Sequence, residues 1–140
     1  MKRLSIIGKL LALLCLAGRG AIAGEASIGI ELNKLEPAGA ACRAYLVLRN
    51  ATDLALRSLK LDLVMFDTEG VVARRIAVET GPLPVGKTSL KVFDIGGMPC
   101  GKMQRVLLND ILNCEAARGA IDDCLPKVTV SARGTVPFIK

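Results

Sequence analysis

Apolar and polar residues alternate with a period of two along much of the chain. Cys42, Ala44, Leu46 and Leu48 alternate with Arg43, Tyr45, Val47 and Arg49. Leu59, Leu61, Leu63 and Met65 alternate with Lys60, Asp62, Val64 and Phe66. Successive side chains of a strand point to opposite faces, so this period predicts strands with one face in a core. Ile28, Ile30 and Leu32 predict an earlier strand, and Val71–Val78, Leu90 with Val92, Gln104–Leu112 and Lys127–Ala132 predict later ones. In Gln104–Leu112 the apolar residues run together rather than alternate. Between these segments stand a loop at Pro37–Ala41, turns at Asn50–Asp53, Asp67–Gly70 and Gly96–Pro99, and a Pro- and Gly-rich connection at Gly81–Lys87. Glu115–Asp123 is read as holding one helical turn. About seven short strands with closely spaced turn signals predict an all-β protein, an immunoglobulin-like antiparallel β-sandwich. No repeat, low-complexity tract or linker divides the chain.

Residues 1–23 read as a signal peptide rather than as part of the fold. Lys2 and Arg3 precede the apolar run Leu10–Ala17, and Ala21-Ile22-Ala23 supplies small residues before a cleavage site after Ala23. The run is short for a membrane span, which leaves an uncleaved anchor as the alternative. The bulky Leu14 before Cys15 argues against lipidation there. The expected product is periplasmic or secreted, a single domain of residues 24–140 with no later membrane-crossing segment.

Removing that segment changes the electrostatics. The full chain has 19 basic and 13 acidic residues, for a net charge of +6. Lys2, Arg3, Lys9 and Arg19 all lie in the signal, which has no acidic residue, so the remainder carries only +2. With no Trp, one Tyr and three Phe, it lacks the basic footprint and stacking platforms of a nucleic-acid binder. There is no His, which removes imidazole acid–base chemistry.

Cys42, Cys100, Cys114 and Cys124 remain after the signal. An even count in an exported chain predicts two disulfides, with three possible connectivities. In an immunoglobulin-like frame the second and sixth strands run the same way in opposite sheets, which puts Cys42 and Cys100 at one end. Cys114 and Cys124 flank the connection between the sixth and seventh strands, taken as antiparallel neighbours. The expected pairs are therefore Cys42–Cys100 and Cys114–Cys124.

Leu63-Val64-Met65-Phe66-Asp67, then Gly70-Val71-Val72, then Leu83-Pro84-Val85-Gly86-Lys87 before a further strand resembles the FxLYD-type immunoglobulin-like domains of exported bacterial proteins. The resemblance covers roughly residues 42–95. In that family an aromatic-Asp pair ends a strand, a short hairpin follows, and a Pro-Gly-like turn leads into the next strand. Here Met65 and Phe66 stand where the family has Leu and Tyr, and Val85 separates Pro84 from Gly86. The resemblance implies a non-catalytic extracytoplasmic module and carries no functional residue with it.

Several motifs have chemical readings beside plainer ones. Gly81–Thr88 matches the phosphate-loop string G-x-x-x-x-G-K-[ST]. Pro82 and Pro84 remove backbone donors, and the residues after it alternate like a strand. Met98, Cys100 and Met103 offer soft sulfur ligands of the kind that suit Cu(I), against a structural disulfide at Cys100. Asp110, Glu115, Asp122 and Asp123 could gather a cation, but without EF-hand spacing. Asn50-Ala51-Thr52 is a glycosylation sequon, relevant only in a eukaryotic host. Ser27, Ser58, Ser89 and Ser131 sit in no nucleophile elbow.

The sequence therefore predicts a non-catalytic exported module, without cofactor or metal, that binds a protein partner in the cell envelope. A periplasmic copper or thiol-redox carrier is the alternative. Tyr45, Val47, Val64 and Phe66, apolar residues at outward register, form the expected partner surface.

Overall fold

Wherever the alternation is clean, the chain forms a strand. The computed structural model describes residues 24–140; the predicted signal and its cleavage site lie outside the described residues. β1 (Ile28–Ala38) and β2 (Ala41–Asn50) form an antiparallel hairpin. β2 turns Cys42, Ala44, Leu46 and Leu48 to the interior. β3 (Leu56–Asp67) does the same with Leu59, Leu61, Leu63 and Met65, and hairpins to β4 (Val72–Glu79). β5 (Thr88–Ile95), β6 (Met103–Ala116), the two-residue β7 (Gly119–Ala120), β8 (Val128–Ala132) and the two-residue β9 (Phe138–Ile139) complete the order. Single 3-10 turns at Cys100–Lys102 and Leu125–Lys127 lead into β6 and β8.

The strands form two sheets. One runs β5-β2-β1-β8; the other runs β4-β3-β6, with β7 and β9 both paired to β6. Their facing sides share an aliphatic core that includes Ile30, Leu46, Leu48, Leu61, Leu63, Leu83, Leu108 and Val128. The fold is thus an all-β sandwich, with Cys42–Cys100 and Cys114–Cys124 bonded as expected. The first disulfide joins β2 to the 3-10 turn that leads into β6 of the other sheet, at a Cα separation of 4.8 Å.

Four expectations are corrected. Pro37–Ala41 is not a loop: Pro37 pairs with Cys42 and Ala38 with Ala41, leaving only Gly39-Ala40 to turn. β8 stops pairing with β1 at Leu32, so Pro37 sits where β1 has become an edge, the place a strand tolerates a residue without N–H. Glu115–Asp123 holds no helical turn. β6 runs on to Ala116, and Ala117-Arg118 turns it into β7. The sixth and seventh long strands are not neighbours: β8 lies in the other sheet, beside β1. The second disulfide therefore bridges the β6–β7 hairpin and the chain leading to β8. Finally, the sandwich is not wholly antiparallel, since β8 pairs with β1, and β9 with β6, in parallel.

β6 also explains its own blurred pattern. Opposite β3, the pairing jumps from Asp110 to Leu108 and from Asn113 to Ile111. Each extra residue is a bulge that resets which face the next side chain meets.

Candidate functional site

The four predicted surface residues lie on two sheets. Tyr45 and Val47 are on β2, Val64 and Phe66 on β3. Each alternates with core residues of its own sheet, so the two pairs point away from each other on opposite outer faces. They do not make one patch.

The outer face of β2 gains apolar neighbours from β5. Tyr45 pairs with Val92 and Val47 with Leu90. Leu90 is 63% exposed and Val92 40%; Tyr45 and Val47 are half-buried. Polar groups frame this stripe. Arg43 donates two hydrogen bonds to the Asp94 carboxylate, at 2.7 and 3.0 Å. The Tyr45 hydroxyl donates to Glu36 at 2.6 Å, and Lys34 pairs with Glu36 while its ammonium lies 5.2 Å from the Tyr45 ring centre. The hydrogen bond to Glu36 raises the Tyr45 hydroxyl above its ordinary pKa, and the same bond leads those that hold Glu36 low. Hydrogen bonding to Arg43 holds Asp94 low. An apolar centre with a satisfied polar rim is the anatomy of a recognition surface.

The outer face of the β3 sheet is covered by its own side chains around Asp62 and Val64, while Val72, paired with Phe66, is 56% exposed. Val64 is buried, at 8% exposure. The Arg105 guanidinium lies 4.3 Å from the centre of the Phe66 ring. Asp62 is at outward register yet only 2% exposed. Arg75 donates to both its oxygens, at 2.9 and 2.8 Å, and Asn109 donates at 2.7 Å. Asn109 is the extra residue of a β6 bulge, so the bulge supplies the second donor. A buried carboxylate is tolerated only when paired in this way.

The Arg75 hydrogen bonds lead in holding the Asp62 carboxyl below its ordinary pKa; burial opposes them and Asn109 assists. A carboxylate lowered on folding contributes stability that is full above its unfolded pKa and is lost as pH falls through its folded pKa. Glu31, Glu36, Glu79 and Asp94 are lowered too. Stability should therefore decline on acidification below about pH 4. In Arg75→Met the loss should be greater at pH 7 than at pH 3, because protonated Asp62 no longer needs the guanidinium. Denaturant melts of both proteins at the two pH values check this; a pH-independent difference would refute it.

The remaining motifs have structural work. In the phosphate-loop string, Gly81 lies against β3. A Cβ there would stand 2.7 Å from the Arg57 carbonyl oxygen and 2.8 Å from the Ser58 Cα. Gly86 turns at φ +70°, and Thr88 begins β5 rather than a helix. Met98 and Met103 are in the core, while Cys100 is bonded to the fully buried Cys42. The sequon's Asn50 has no exposed surface. Ser58 donates to Glu79 at 2.7 Å and accepts from Asn113.

Asp110, Asp122 and Asp123 line a polar hollow of about 340 Å³ beside the second disulfide; Glu115 does not. Among the described residues, no three Cys, Asp or Glu side chains are grouped to hold a metal ion. An open hollow of about 330 Å³ lies over Leu32, Leu35, Cys100 and Val136. Among the described residues no helix is long and apolar enough to cross a membrane.

Sequence reasoning missed Leu90 and Val92 as surface residues. β5 has apolar residues at both parities, with Phe93 and Ile95 as well as Leu90 and Val92, so alternation alone did not say which pair faces out. No protein-family model, curated protein or solved structure matches the chain.

Proposed function

We propose that this chain is an extracytoplasmic, non-catalytic β-sandwich module that binds a protein partner in the cell envelope through the outer face of β2 and β5. The observation that carries this reading is the stripe of Tyr45, Val47, Leu90 and Val92, with Leu90 63% exposed and the Arg43–Asp94 pair closing the stripe beyond Tyr45 and Val92. Contiguous exposed apolar patches rimmed by polar residues mark interaction surfaces. Two disulfides in so small a chain support an oxidising compartment, which the predicted signal peptide would reach. The likeness of residues 42–95 to FxLYD-type domains fits the same reading. The carrier reading has less support, because Cys100 has no thiolate to offer and both flanking thioethers are in the core.

Photocrosslinking in the exporting cell tests the proposal. A benzoylphenylalanine in place of Leu90 should give a discrete protein adduct that Val47→Lys abolishes. The same probe at Lys60, exposed on the opposite face, should give none. Equal adducts at both positions, or none at Leu90, would overturn it.

A further inference from the structure

β5 ends its sheet, and among the described residues no strand pairs with its outer edge. It is eight residues long, long enough to template an added strand. Its side chains sort by face. Leu90 and Val92 point outward beside Val47 and Tyr45; Lys91 stands opposite the fully buried Leu46, on the inner side between Ser89 and Phe93. Lys91 forms no ion pair with any described residue. It is half-buried, so its stem covers the margin of the core while its ammonium needs a counter-charge or water.

That arrangement disfavours a second copy. The register that sets Leu90 against Val92 of another β5, twice over, also sets Lys91 against the copy's Lys91. Of the two adjacent registers that keep the faces matched, one sets Leu90 against the copy's Asp94 carboxylate and Lys91 against Phe93, and the other sets Leu90 against Leu90 and Lys91 against Ser89; neither places a carboxylate opposite Lys91. Like charges directly opposite destabilise a strand pair, and opposite charges stabilise it.

We propose that the β5 edge accepts an extended segment of another protein, with small apolar residues outward and a carboxylate at the inward position facing Lys91. This deepens the partner reading above and rests on it: the added strand would extend the same apolar stripe, and Lys91 would select the segment by charge. Specificity would come from one attractive pair and one repulsive pair.

The test uses two synthetic peptides of alternating valine and threonine, one with a central glutamate and one with a central lysine. Amide hydrogen exchange of the purified protein is followed with each. The glutamate peptide should protect β5 amides, with about a tenfold preference over the lysine peptide, and Lys91→Glu should reverse that preference. Absence of protection in β5, equal protection by both peptides, or a stable dimer of the protein through β5 would overturn the proposal. If crosslinks still form at Leu90 while β5 exchange is unchanged, the partner binds the face and strand addition alone fails. If neither is seen, the partner reading fails with it.

Discussion

Asn50→Asp should destabilise this protein by about 4 kcal/mol or more at neutral pH, the cost of orphaned buried carbonyls plus an unpaired buried charge. The two side chains differ by one group, and that group makes the difference. The Asn50 Nδ2 donates to the carbonyls of Leu54 and Leu83, both at 2.9 Å, while Oδ1 accepts from the Thr52 amide and hydroxyl. Its own amide donates to the Lys87 carbonyl, and its carbonyl accepts from Gly86. Asn50 thus ties the end of β2, the turn before β3 and the connection into β5 in one buried knot. Aspartate keeps the acceptor and turns the donor into an oxygen facing two carbonyls. Its folded pKa should be raised, so the penalty should shrink as pH falls through that value and a protonated carboxyl donates again. Thr52→Ala removes only the hydroxyl contacts and should cost about 1 kcal/mol. Denaturant titration at pH 7 and pH 4 checks all three statements. An Asn50→Asp protein as stable as wild type at pH 7 would show that the knot is dispensable.

Replacing Cys42 and Cys100 together by alanine should cost about 4 kcal/mol, and replacing Cys114 and Cys124 nearer 3 kcal/mol, if loop-closure entropy dominates. The loops span 58 and 10 positions, so the ranking follows from length. Position adds to it: the first bond ties a fully buried cysteine of one sheet to the turn that feeds the other, while the second pins a hairpin to the adjoining chain. Unfolding midpoints of the two double variants, measured without reductant, decide the order. A larger loss from the shorter loop would show that local anchoring of β7 outweighs chain entropy.

How far the fold was legible depended on the regularity of each strand. β2 and β3 alternate without interruption over their buried stretches, so their faces could be read from the sequence; the Cys114–Cys124 pair formed as expected although its premise, that the sixth and seventh strands are neighbours, did not hold. β6 could not, because bulges at Asn109 and Leu112 reset its parity. Pro37 resembled a strand breaker because the pattern does not reveal where a neighbour stops pairing. Alternation also carries no sheet label. Tyr45 with Val47 and Val64 with Phe66 have identical patterns, yet they face opposite directions. The Asp62 network had a sign in retrospect: a lone acid at outward register between apolar neighbours on β3, opposite a strand carrying Arg75. Its second donor, Asn109, depended on the bulge and had none.

The way the chain returns upon itself bears on when it can fold. Ile28 pairs with Val128, so the first strand gains its second neighbour only from one of the last. Phe138 then closes against Val106, lacing the final residues back into the other layer. Such distant pairings must meet loop-closure entropy before they are rewarded, which slows sandwich folding. A chain still lacking its last residues can make neither closure. The fold is therefore closed from its two ends, and neither sheet reaches its full set of strands until the last residues have docked.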